Sequence, residues 1–134
     1  MQKIQPESLQ PLEKTILIVD DDRDIGEVLR SIILDQTRYR VVWIAESDLA
    51  LEAAAHLKPS LILLDYMMPT LDGLQLFDYL QELEHMRDVP VVLISARASL
   101  PIKQLRERGI SFLRKPFEMD ELMYLIKHLI GETT

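Results

Sequence analysis

The sequence predicts an α/β domain, a doubly wound sheet of five parallel strands with helices on both faces. Three observations lead there. Five short runs are apolar on every side, as strands covered on both faces must be. Between them lie segments whose apolar residues recur at helical spacing. And the alternation is continuous, with no long linker, internal repeat or low-complexity tract to interrupt it.

The first run, Thr15–Val19, stops at Asp20-Asp21-Asp22. A helix follows, with Ile25, Val28, Leu29, Ile32 and Ile33 on one side and Asp24 with Glu27 placed as a capping box. Residues 40–45 are β-branched and aromatic enough for a second strand. Residues 48–57, rich in Ala and Leu, predict a helix that ends before Pro59. Residues 61–64 form a third buried strand ending at Asp65. Leu76, Phe77, Leu80 and Leu83 then mark a helix from about residue 72 to 86. Residues 89–94 predict a fourth strand ending at Ser95. A short helix is expected from near Pro101 to near Gly109, then a fifth strand over residues 110–113. The last helix carries Leu122, Leu125, Ile126, Leu129 and Ile130 and stops at Gly131.

The chain has 134 residues, 48% hydrophobic and 28% charged, which suits one self-sufficient core. Residues 14–131 are assigned to that domain. Residues 1–13, interrupted by Pro6 and Pro11, read as a flexible arm. A net charge of −7 repels phosphate backbones, so direct nucleic-acid binding is not expected. There are no cysteines, which excludes disulfides and thiol chemistry and fits a reducing, cytoplasmic setting. No apolar run is long enough to cross a membrane as a helix, and the N-terminus does not resemble a signal peptide.

In an open α/β sheet the functional crevice lies beyond the carboxyl ends of the strands. There the runs deliver Asp20 and Asp21, Asp65, Ser95 and, just past the fifth, Lys115. Three carboxylates held close call for a cation. With oxygen ligands and no Cys or suitably placed His, Mg2+ is the expected one, and it usually completes its shell with water and a phosphate. A carboxylate accepts a phosphoryl group when a metal and fixed donors neutralise the transferring oxygens. Asp65 is the candidate acceptor, Asp20 and Asp21 the metal holders, and Lys115 and Ser95 the partners of phosphoryl oxygens.

Taken together, Asp20-Asp21, the run from Leu61 to Asp65, Met68-Pro69 with Asp72-Gly73, Ser95-Ala96 and Lys115-Pro116-Phe117 resemble the receiver domain of two-component response regulators. Each element alone is weak. Their joint order at strand ends is specific. The resemblance spans about residues 14–130 and implies a flavodoxin-like sheet of strand order 2-1-3-4-5. It implies Mg2+-dependent phosphorylation of Asp65 by a sensor histidine kinase or histidine phosphotransfer protein, then hydrolysis. The main-chain carbonyl of Met67 joins the metal ligands, and Pro116 follows Lys115 through a cis-prone bond. It further implies a switch in which Ser95 moves toward the phosphoryl group and an aromatic residue, here Phe112, turns inward. In the family it resembles, the face of the fourth helix, fifth strand and fifth helix commonly serves for dimerisation or output, a route that two departures alter in this chain.

Two departures stand out. Phe112 has no hydroxyl, and the interval from Ser95 to Lys115 is about two residues short, predicting a short or displaced fourth helix. Output is expected in trans to a downstream protein from a stand-alone domain, with self-phosphorylation and self-dephosphorylation as its only catalysis. The alternatives are a receiver fragment of a larger hybrid kinase or regulator, and a Mg2+-dependent phosphatase with an aspartyl nucleophile. That enzyme class usually places a second acid two residues past the nucleophile, where this chain has Met67. Asp22 and Asp24 read as helix caps. His56, His85 and His128 read as solvated, and Trp43, Phe77 and Tyr124 as core or half-buried packing. Met67 and Met68 read as loop scaffold.

Overall fold

The computed structural model describes residues 14–131, so the arm assigned to residues 1–13 lies outside the described residues. Five strands, β1 (Thr15–Val19), β2 (Arg40–Ile44), β3 (Leu61–Asp65), β4 (Val91–Ser95) and β5 (Ser111–Arg114), alternate with five helices. These are α1 (Arg23–Gln36), α2 (Ser47–Ala54), α3 (Gly73–Leu80), α4 (Ile102–Glu107) and α5 (Met119–Ile130). The strands form one parallel sheet in the order β2-β1-β3-β4-β5, the flavodoxin-like arrangement expected from the sequence. No helix among the described residues is long and apolar enough to cross a membrane.

Alternation along each strand explains the continuous apolar runs. Ile16, Ile18, Leu61, Leu63, Val92 and Ile94 face one side, where Leu29 and Ile33 of α1 and Leu122 and Ile126 of α5 cover them. Leu17, Val19, Ile62, Leu64, Val91 and Leu93 face the other, beneath Ala50 and Ala54 of α2, Leu76 and Leu80 of α3 and Leu105 of α4. Each central-strand residue is therefore buried whichever way it points. Leu29 has no exposed surface. Leu29→Ala is expected to lower unfolding free energy by about 2–5 kcal/mol, read as a lower urea midpoint at unchanged slope.

Helix ends follow local chemistry, with corrections to the sequence expectations. Asp22 rather than Asp24 caps α1: its Oδ1 accepts from the amides of Asp24 at 2.9 Å and Ile25 at 3.3 Å. Asp24 sits inside the first turn, where a carboxylate favours the helix dipole. The helix expected to reach residue 86 ends at Leu80. Leu83 and Met86 still face the core through a separate 3-10 turn, Glu84–Met86, and Arg87 Nε satisfies the freed carbonyl of Gln81 at 2.9 Å. α4 is short as expected, six residues held by buried Leu105 and by Arg108, whose Nε and Nη2 reach Asp78 of α3 at 2.8 and 3.0 Å. α5 stops at Gly131 in the left-handed region, φ 92°.

Two side chains differ from expectation. Tyr124, taken for packing, is 71% exposed, because it lies two residues from both Leu122 and Ile126 and so on the opposite side of α5; it stacks on His128. His85, taken for a solvated residue, is tied: its Nε2 lies 2.7 Å from the Ala54 carbonyl, joining the end of α2 to the 3-10 turn.

Candidate functional site

Every residue expected to end a strand in chemistry does so on the carboxyl edge of the sheet. Asp21, Asp65, Met67, Ser95 and Lys115 line a cleft of about 470 Å³, with Arg97 at its side. Asp20 lies beneath, 1% exposed. One carboxylate oxygen from each of Asp20, Asp21 and Asp65 falls within 4.8 Å of the other two. Lys115 Nζ stands 3.5 Å from both Asp20 Oδ2 and Asp65 Oδ1.

One ammonium does not balance these acids. Burial, then the Asp20 charge, pushes the Asp65 carboxyl up to about 7, with Lys115 opposing the rise only in part. Burial also raises Asp20, against the Asp22 amide and Lys115. Asp20 Oδ2 is buried with no hydrogen-bond partner. A buried acceptor with no hydrogen bond, faced only by the shared Lys115 ammonium and set beside two further carboxylates, fits a small divalent cation such as Mg2+.

Ser95, 1% exposed, ends β4, and its Oγ accepts from the Arg97 amide at 3.0 Å. The Arg97 guanidinium lies 5.5 Å over the Tyr66 ring and reaches Met67 Sδ at 3.9 Å. Lys115 is anchored through its own amide, which donates to the Ser95 carbonyl at 2.9 Å, and the Lys115–Pro116 bond is cis. Phe112 stands apart from the cleft on β5, 40% exposed. Arg114 covers its ring at 5.7 Å and donates to the carbonyls of Arg97 and Ala98 at 2.9 and 3.3 Å.

The loop after Asp65 is built to hold still. A Cβ on Gly73 would meet Leu93 Cδ1 at 2.6 Å and the Asp65 carbonyl at 2.8 Å, so only glycine lets α3 start against β3. Asp72 and Gln75 close a reciprocal capping box with both bonds at 2.9 Å. Met68 is buried in the core, as a scaffold residue should be, while Met67 is 55% exposed. Thr70 adopts φ 73°, costly for a β-branched residue. Thr70→Gly is expected to raise stability by up to about 1 kcal/mol, measured by thermal unfolding.

Three supports escaped the sequence reading. Buried Ser47 donates to the Leu71 carbonyl at 3.0 Å, pinning the loop from α2. Arg114 holds the β4–α4 segment. Trp43 Nε1 donates to the Asp20 carbonyl at 3.0 Å. The one available signal was Gly26, a glycine inside an amphipathic helix, whose added Cβ would lie 2.2 Å from the indole.

The sheet order is that of a flavodoxin-like α/β domain, and the acids, Ser95 and Lys115 meet at the carboxyl edge of its strands. The sequence matches the response regulator receiver domain family over residues 16–127, and the chain belongs to that family. Among curated relatives, response regulator MprA of Mycolicibacterium vanbaalenii is 35% identical over 121 residues, 89% of this chain and 51% of that protein. Response regulator Rre1 of Synechocystis is 30% identical over 119 residues, 87% and 52% of the two chains. The chain thus spans about half the length of the curated relatives it matches. Among solved structures, the receiver domain of sensor histidine kinase PA1611 from Pseudomonas aeruginosa superposes with TM-score 0.80 at 27% identity, covering 89% of this chain and 98% of that one. That structure carries a magnesium ion coordinated in its active site cleft.

Proposed function

We propose that this chain is a phosphorylation switch in which Asp65 accepts a phosphoryl group from a phosphohistidine of a sensor histidine kinase or histidine phosphotransfer protein. The observation that carries the reading is three carboxylates gathered around one ammonium: Asp20 Oδ2 is buried with no hydrogen bond and only Lys115 at 3.5 Å, beside an Asp65 whose pKa is pushed to about 7. Such a site is poor as it stands and completed by a cation. Asp20, Asp21, Asp65 and the Met67 carbonyl would hold Mg2+, which neutralises charge on the transferring oxygens.

In the transfer, an Asp65 carboxylate oxygen forms a bond to phosphorus as the phosphorus–nitrogen bond to the donor imidazole breaks. The imidazole leaves with the bonding pair and takes up a proton. Lys115 pairs with one phosphoryl oxygen and the Ser95 hydroxyl donates to another. Once Ser95 turns to the phosphoryl group, the Arg97 amide loses its acceptor and the β4–α4 segment must readjust. That segment carries the carbonyls bound by Arg114, which in turn covers Phe112, so packing at β5 transmits the change without a ring hydroxyl. The surface of α4, β5 and α5 is the proposed route to a downstream protein or a homodimer. The acidic field of the domain disfavours contact with nucleic acid by this unit itself.

Intact-mass measurement after incubation with MgCl2 and a small phosphodonor tests the reading. One phosphoryl adduct is expected on the wild type and none on Asp65→Asn. An adduct surviving in the variant, or never forming on the wild type, refutes it; turnover of phosphate esters would favour the phosphatase.

A further inference from the structure

Asp20 uses every polar atom but one in a hydrogen bond within the chain. Its amide donates to the Ile44 carbonyl at 3.2 Å, its carbonyl accepts from Trp43 Nε1 at 3.0 Å, and its Oδ1 accepts from the Asp22 amide at 2.9 Å. Only Oδ2 remains, buried with no hydrogen bond and faced by the Lys115 ammonium at 3.5 Å. Both main-chain ties come from neighbours in sequence, Trp43 and Ile44 at the end of β2. The main chain that carries the carboxylate is thus held from outside the acidic turn, while Oδ1 is held from within it by the Asp22 amide.

The indole reaches that carbonyl by crossing the first turn of α1 where Gly26 stands. A Cβ there would meet Trp43 Cε2, Cζ2 and Nε1 at 2.2, 2.3 and 2.5 Å. A glycine inside a helix costs about 1 kcal/mol relative to alanine. Here the cost secures the seat of a ring that a plain aliphatic side chain could replace if filling space were its only task. We propose that Trp43 is a positioning residue for the metal-binding acid Asp20, seated by Gly26 and acting through its N–H on the Asp20 carbonyl. The inference rests on the Mg2+ reading of the cleft.

The test is calorimetric titration of the full chain with MgCl2, beside thermal unfolding in EDTA. Trp43→Phe, which keeps an aromatic ring and loses the donor, is expected to weaken Mg2+ binding about fivefold, the worth of one hydrogen bond. Gly26→Ala, which keeps the indole but displaces it, is expected to do the same, and the double variant to lose no more than either single change. Trp43 is the sole tryptophan, so its emission should follow Mg2+ saturably with the calorimetric Kd in the wild type and not in Asp20→Asn. Lower melting temperatures with Kd unchanged in both Trp43→Phe and Gly26→Ala would make Trp43 a core filler and overturn the inference. Should Trp43→Phe fail to fold, Gly26→Ala and the emission titration decide alone. A wild type that binds no Mg2+ at all would sink the metal reading itself, an outcome distinct from an unchanged Kd.

Discussion

Asp65→Asn should leave the protein unable to take up phosphate and, at neutral pH without Mg2+, more stable than the wild type. The carboxyl of Asp65 has its folded pKa raised from 3.8 to about 7, so the folded state holds a proton that the unfolded chain releases near pH 4. Its contribution to stability is therefore fully present below about pH 4 and is lost as pH rises to about 7. Above that point the folded state carries a buried anion that the amide of asparagine avoids. The gain is on the order of 2 kcal/mol, since Lys115 and solvent at the cleft mouth soften the penalty. Urea unfolding in EDTA at pH 5 and pH 8 measures it: the gap between variant and wild type should open with pH. Mg2+ competes with the same proton, so its apparent affinity should climb between pH 6 and pH 8 by up to tenfold per unit and level off above the pKa. A flat profile, or a variant less stable than the wild type at pH 8, would contradict the electrostatic account of the site.

Lys115→Ala is expected to move two measurements in opposite directions. The ammonium lies 3.5 Å from carboxylate oxygens of both Asp20 and Asp65, where it partly neutralises the cluster and also repels an incoming cation. Its removal should tighten Mg2+ binding in calorimetry at pH 8. Phosphoryl uptake from a small donor should nevertheless fall about 10²- to 10³-fold, the scale on which a fixed donor to a developing oxyanion acts. Loss of uptake together with loss of Mg2+ binding would instead mean that Lys115 serves only to hold the cleft together.

The strands and their terminal residues were legible because a parallel strand buried on both sides has no solvent face, so each run is apolar until the chain leaves the sheet. Asp20, Asp65 and Ser95 are the first polar residues after such runs, and the structure brings them with Lys115 and Met67 to one cleft. Helix ends were harder. Leu83 and Met86 continue the apolar spacing past Leu80, and that spacing cannot tell an α-helix from a 3-10 turn that also presents them to the core. Tyr124 was misread because an aromatic among leucines suggests packing, although its angle on α5 faces away from Leu122 and Ile126. The Trp43 tie to Asp20 joins three parts of the chain, β2, α1 and the turn after β1. No local pattern encodes such a meeting, and only the unexplained Gly26 marked it.

The sheet divides the interior into two chambers whose side chains never mingle: α1 and α5 close one, α2, α3 and α4 the other. Volume changes in one chamber reach the other only through the backbone plane between them. Each helical face can thus be rewritten for a new partner while the opposite wall, and the row of strand ends that carries the acids, keeps its shape.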